Sequence, residues 1–161
     1  MRRGFSLVEI LIAVAILLVS FVTVIASFQL GARRGVGTLQ KIQAVALAEE
    51  GIEAISSVRD FGWSHISNLS FGTEYGISFD GTKWNIVSSP QTIDGVFRRA
   101  VVLDNVYRRD SDKDIVSENS PDAKALDSDA KKITVRVSWN AATTSVQAEQ
   151  VMESYLFNLF E

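Results

Sequence analysis

Few side chains in this sequence have the type and spacing for chemistry. Glu9 is the first: a carboxylate at the head of an apolar run that reaches Leu30. Carboxylates in such a setting are costly and rare, and those that persist mark sites with a charged partner. Asp110, Asp112 and Asp114 alternate as the first three ligands of a calcium loop do. The rest of that pattern departs: Ile115 stands where the turn glycine belongs and Pro121 where the bidentate glutamate belongs. The default for this stretch is therefore a solvated, mobile loop, with calcium as the one metal its carboxylates would suit. Glu49 and Glu50 are adjacent, and neighbours on a helix do not face one another, so they read as a solvated face. His65 is the single histidine and reads as a loop residue with a local hydrogen bond. No phosphate loop, nucleophile elbow or zinc spacing occurs, and no catalytic residue or cofactor site is read.

The element that must hold Glu9 is legible. Residues 10–30 carry no charge, and their clearly polar members are Ser20, Thr23, Ser27 and Gln29. About 20 apolar residues cross a hydrocarbon core of roughly 30 Å as a helix. Lys and Arg counts do not orient it, because Arg2 and Arg3 on one side balance Arg33 and Arg34 on the other. Arg2-Arg3 also fits a twin-arginine export signal, and the run fits a signal anchor for a surface binding module. Against a removable signal peptide, the run exceeds the usual apolar core of about 7–15 residues.

Gly4-Phe5-Ser6-Leu7-Val8-Glu9-Ile10, followed by the apolar run, resembles the start of type IV pilins and of the pilin-like subunits (pseudopilins) of type II secretion systems. The sequence-specific resemblance covers residues 2 to 30 and the remainder matches in layout. It implies a leader over residues 1–4, cut between Gly4 and Phe5 by a membrane aspartyl prepilin peptidase that then methylates the Phe5 amine. It implies a transmembrane and assembly helix over residues 5–31 and a periplasmic or extracellular globular domain over residues 32–161. Its partners would be other pilin or pseudopilin subunits, the peptidase, an inner-membrane assembly platform and the lipid bilayer. The subunit would sit single-pass in the inner membrane, N-terminus in the cytoplasm, and then in a pilus or pseudopilus at the cell surface or in the periplasm. The new amine would have an ordinary pKa of roughly 7.7–8.0. In the family, Glu9 of an incoming subunit meets the Phe5 amine of its neighbour, and a mis-registered subunit leaves two buried charges unpaired. The stretch from Ala48 to Glu53 and the alternating Val135, Val137 and Trp139 look more like minor subunits than abundant ones. Two departures stand out: there is no cysteine for the C-terminal disulfide loop that many pilins have, and Ala26 occupies roughly the place of a frequent proline.

The remaining chain suits one small domain of class α+β, with a long N-terminal helix packed on a four- to five-stranded antiparallel sheet. Gly31, Gly35 and Gly37 form a weak point where the helix continues or loosens. Leu39, Ile42, Val45, Ala48, Ile52, Ile55 and Val58 recur at helical spacing and predict its buried stripe. Residues 60–75 read as a loop. Asp80-Gly81 between alternating apolar runs predicts a hairpin, and residues 95–107 a third strand in which Arg98-Arg99 marks an exposed position or a bulge. Residues 108–132 read as a polar insert. Ile133, Val135, Val137 and Trp139 alternate as one face of a strand, residues 140–143 turn, and residues 145–159 return with a bulge near Glu149-Gln150. The net charge of −3 gives no nucleic-acid partner, and Arg98-Arg99 and Arg108-Arg109 are the main basic clusters of the domain.

Overall fold

The computed structural model describes residues 6–140 and 147–159. Helix α1 spans Leu7–Phe61, 55 residues, or about 80 Å at 1.5 Å per residue. It runs unbroken through Gly31, Gly35 and Gly37. Glycine weakens a helix by roughly 1 kcal/mol, whereas an interior proline, which this stretch lacks, would remove a backbone bond. A short helix α2, Ser64–Ser67, lies inside the stretch expected to be irregular. Its Ile66 is buried in the core, which pins this turn beneath the end of α1.

The strands are β1 (Glu74–Phe79), β2 (Trp84–Val87), β3 (Gln91–Ile93), β4 (Phe97–Arg109), β5 (Ile115–Val116), β6 (Lys124–Asn140) and β7 (Gln147–Phe157). Five stand in the order β2-β1-β4-β6-β7, and the short β3 and β5 add to β4. Every pairing is antiparallel. The five in the row are the five read from alternation. The Asp80 turn closes the first hairpin: its carboxylate accepts the N–H groups of Thr82 at 2.9 Å and Lys83 at 3.0 Å, and the Asn85 amide at 2.8 Å. A second hairpin, β3–β4, turns at Asp94 and Gly95, both with positive φ. That is the same Asp-Gly signal, placed in the sequence reading at the start of a strand.

Two expectations are corrected in the sheet. The polar insert is shorter than residues 108–132, because β4 reaches Arg109 and β6 begins at Lys124. Apolar alternation is absent there, and the diagonal pair Arg108–Asp127 joins the two strands. No bulge occurs near Glu149. The β6–β7 register runs unshifted from Asn140↔Gln147 to Ala130↔Phe157, and Val151 points outward. The irregularity lies instead between β4 and β6, at Asn105/Val106. The turn expected over residues 140–143 lies, beyond Asn140, outside the described residues.

The C-terminal half of α1 packs on β6, β7, β4, β2 and β1. Its buried residues are Ala44, Ala48, Gly51, Ala54, Ile55 and Val58, against Val101, Ile133, Val135 and Val137 of the sheet. Of the expected stripe Ala48, Ile55 and Val58 are buried and Ile52 packs against the core, whereas Leu39 and Ile42 are each 61% exposed. The small residues face the sheet because the helix lies close to it. A Cβ added to Gly51 would stand 2.8 Å from Cγ1 of Val135, nearer than carbon atoms pack.

Arg99 corrects a third expectation. It lies at the inward parity of Phe97, Val101 and Leu103 and is 4% exposed. Its Nη1 donates to Glu50 Oε2 at 2.7 Å and to the Leu47 carbonyl at 3.3 Å, and its guanidinium lies 5.9 Å from the Trp84 ring centre. Glu50 is thus not simply a solvated acid. Arg98 is the outward member and pairs with Glu74 at 2.6 Å.

Glu50→Ala leaves a buried guanidinium without its anion, and should lower the unfolding free energy by about 1–3 kcal/mol in urea melts, less than a fully buried pair because Glu50 is half-exposed. The double change Glu50→Leu with Arg99→Met should lie closer to the parent than Glu50→Ala alone. The Asp80 carboxyl is held below its usual pKa, chiefly by the Lys83 and Thr82 backbone N–H groups. Its folded pKa lies below the unfolded one, so its contribution is full above about pH 4 and is lost as pH falls through the folded pKa. Amide exchange in the β1–β2 hairpin should show this loss in the parent chain, and Asp80→Ala should abolish the dependence.

Candidate functional site: the N-terminal helix

The site is one half of α1. From Ser6 to Val36 every residue is exposed, including Leu7, Ile10, Leu17, Phe21 and Phe28. The segment is long and apolar enough to cross a membrane, and none of it is buried against the rest of the chain. An apolar surface of this extent is stable only against lipid or another protein. The backbone suits lipid, because a helix satisfies its own N–H and C=O groups. The hydroxyls follow the same rule. Ser20 donates to the Ile16 carbonyl at 2.8 Å, Thr23 to Val19 at 2.6 Å and Ser27 to Thr23 at 2.9 Å. Each polar side chain of that series is closed on its own helix, one turn back.

Glu9 stands in the first turn. Ser6 precedes the helix in extended conformation, and its carbonyl accepts the N–H groups of Glu9 at 3.0 Å and Ile10 at 3.2 Å. The first turn is the positive end of the helix macrodipole, which favours a carboxylate there. Among the described residues Glu9 has no cationic partner. Gly4 and Phe5, the expected cleavage and methylation positions, lie outside the described residues. What the described helix presents, then, is a carboxylate in the first turn of an apolar rod.

Residues 1–25 carry the prokaryotic N-terminal methylation motif. The motif is the prepilin signature of type IV pilins and pseudopilins, and it spans Gly4, Phe5 and Glu9. It ends inside α1, so the sheet domain lies wholly beyond it. No curated protein and no solved structure matches the chain.

The other residues singled out by type fall elsewhere. Asp110, Asp112 and Asp114 lie on the loop after β4. Arg109 pairs with one of them, its Nη1 2.7 Å from Asp112, and its Nε lies 3.0 Å from Asp122. The Asp112 carboxylate beside it raises the pKa of the Arg109 guanidinium. Asp112 also accepts the Asp114 N–H at 3.2 Å, and Asp110 lies 3.9 Å from Lys113. Among the described residues, no group of three or more histidine, aspartate or glutamate side chains is disposed to hold a metal ion. His65 donates from Nδ1 to the Gly62 carbonyl at 3.2 Å, a local bond as expected.

Arg99 apart, a second buried cation was missed in the sequence. Lys131 is 5% exposed, donates to Asn105 Oδ1 at 3.1 Å and sits 4.3 Å from the Phe71 ring centre. Burial pushes its ammonium pKa down. Its neighbour Lys132 faces the other way, and a hydrogen bond to Glu153 raises its pKa. Parity with Ile133 was the available signal, obscured by the charge of the residue itself.

Leu18→Arg places a charge near the middle of the apolar segment, which costs about 2.5–3.5 kcal/mol in membrane insertion. The variant should shift from the carbonate-resistant membrane fraction to soluble or aggregated material, while Leu39→Arg, outside the apolar run, should not.

Proposed function

We propose that this chain is the precursor of a pilin-like subunit, of the minor class, that enters a type IV filament or a type II secretion pseudopilus. The carrying observation is the junction of the methylation motif with a helix that is exposed all round in its first half and buried on one face in its second. That arrangement suits a subunit that waits in a bilayer and later exchanges lipid for neighbouring helices. The peptidase hydrolyses the Gly4–Phe5 amide and methylates the freed amine. Glu9 then meets the Phe5 amine of an adjacent subunit, and the low dielectric around the pair makes axial register selective. The protein is held in the inner membrane with its domain on the far side before assembly, and works by packing rather than by catalysis. Its partners are other subunits, the peptidase and the inner-membrane platform.

Co-expression with a prepilin peptidase, followed by intact-mass and peptide mass spectrometry, should give a chain beginning at N-methylated Phe5. Glu9→Ala should be processed as well as the parent but incorporated into sheared filaments at least tenfold less, on the order of the loss of one buried ion pair. A chain retaining residues 1–4, or cut beyond Leu30, would replace this reading with a signal-anchored binding module or a twin-arginine-exported domain. Abundance equal to the filament shaft would remove the minor assignment.

A further inference from the structure

We propose that the free edge of β2 is a strand-addition site for an extended segment of another protein chain, apolar at alternate positions and bearing a carboxylate. A cleft of about 440 Å³ runs beside this strand where α1 ends, within the usual range of roughly 300–1,000 Å³ for binding clefts. One wall is built by Val58 and Phe61 of α1 with His65 and Leu69 beyond it; the other is residues 83–88, and Tyr75 of β1 also lines the cleft. Successive side chains of a strand point to opposite faces. A wall that takes in all four residues of β2 in succession therefore includes the edge of the strand as well as a face. β2 is terminal in the sheet order, so no strand of this chain covers that edge among the described residues.

The hydrogen-bond phase points the same way. The Asp80 N–H donates to the Lys83 carbonyl at 3.1 Å, which makes 80 and 83 a hydrogen-bonded pair. Such pairs alternate along an antiparallel ladder. Phe79↔Trp84 and Ile77↔Ile86 are then the non-bonded pairs. The N–H and C=O groups of Trp84 and Ile86 consequently point away from β1, toward the cleft. An extended segment laid along β2 would satisfy these four groups, the main source of affinity in strand addition. The helix wall supplies apolar contact, with Phe61 itself 61% exposed. Charge selects the partner: the described lining contains Lys83 and His65 and no carboxylate. An acidic residue beside apolar ones is the complement of that lining.

The test uses the full chain, isotope-labelled in detergent micelles, titrated with the synthetic peptide acetyl-Glu-Val-Thr-Val-Thr-Val-amide. The amide resonances of Trp84 and Ile86 should shift saturably. The same peptide N-methylated at alternate amides, unable to donate along the ladder, should bind about tenfold more weakly or worse. Phe61→Ala and Lys83→Glu, both at exposed positions, should each weaken binding about tenfold while leaving the melting temperature unchanged. The proposal is overturned if the peptide leaves both amides unmoved, or if the N-methylated peptide binds equally well. It is also overturned if cellohexaose shifts these amides and the peptide does not, which would make the aromatic cleft a sugar site. None of these outcomes bears on filament assembly, which depends on the other end of the molecule.

Discussion

The governing constraint is the apolar surface of α1 that none of the described residues covers. From Leu7 to Leu30 the helix has no buried face, and water is a poor solvent for it. A bilayer solves this for a single subunit, and neighbouring helices solve it in an assembly. Glu9 stands in the first turn of this surface, a setting in which a carboxylate is costly. The Ser20, Thr23 and Ser27 hydroxyls, closed on their own helix, add no competing requirement for a polar partner.

The second half of the same helix obeys a different constraint. It is held by close approach to a sheet, and the residues that permit this are small: Ala44, Ala48, Gly51 and Ala54. The larger Leu39 and Ile42 are left outside. They extend the apolar surface of the first half past Arg33 and Arg34, so the rod remains sticky beyond the membrane-length segment. Across the sheet, Arg99 ties β4 to the helix through Glu50 and the Leu47 carbonyl.

The fold was legible wherever periodicity was strong. The long helix, the five strands of the continuous row and the Asp80 hairpin were each marked by spacing or turn chemistry. The failures have local causes. The Asp94-Gly95 turn carried the proper signal but abutted an apolar run that drew the strand start toward it. The ends of β4 and β6 near Arg109 and Lys124 were concealed because apolar alternation is absent there. The Glu149 bulge was inferred from the position of Val151, yet a strand exposes a valine at little cost when its partner holds the register.

Sequence alone determined the chemistry at the N-terminus: a carboxylate, an apolar run of membrane length and the methylation motif are all local in the chain and need no fold to be recognised. Tertiary structure decided which face of α1 is buried, that Arg99 and Lys131 lie inside, and that the β2 edge faces a cleft. These depend on the distance between elements far apart in sequence. Helical spacing restricts a stripe to a family of neighbouring faces, and only the shape of the sheet, close enough at Val135 to demand Gly51, selects one of them.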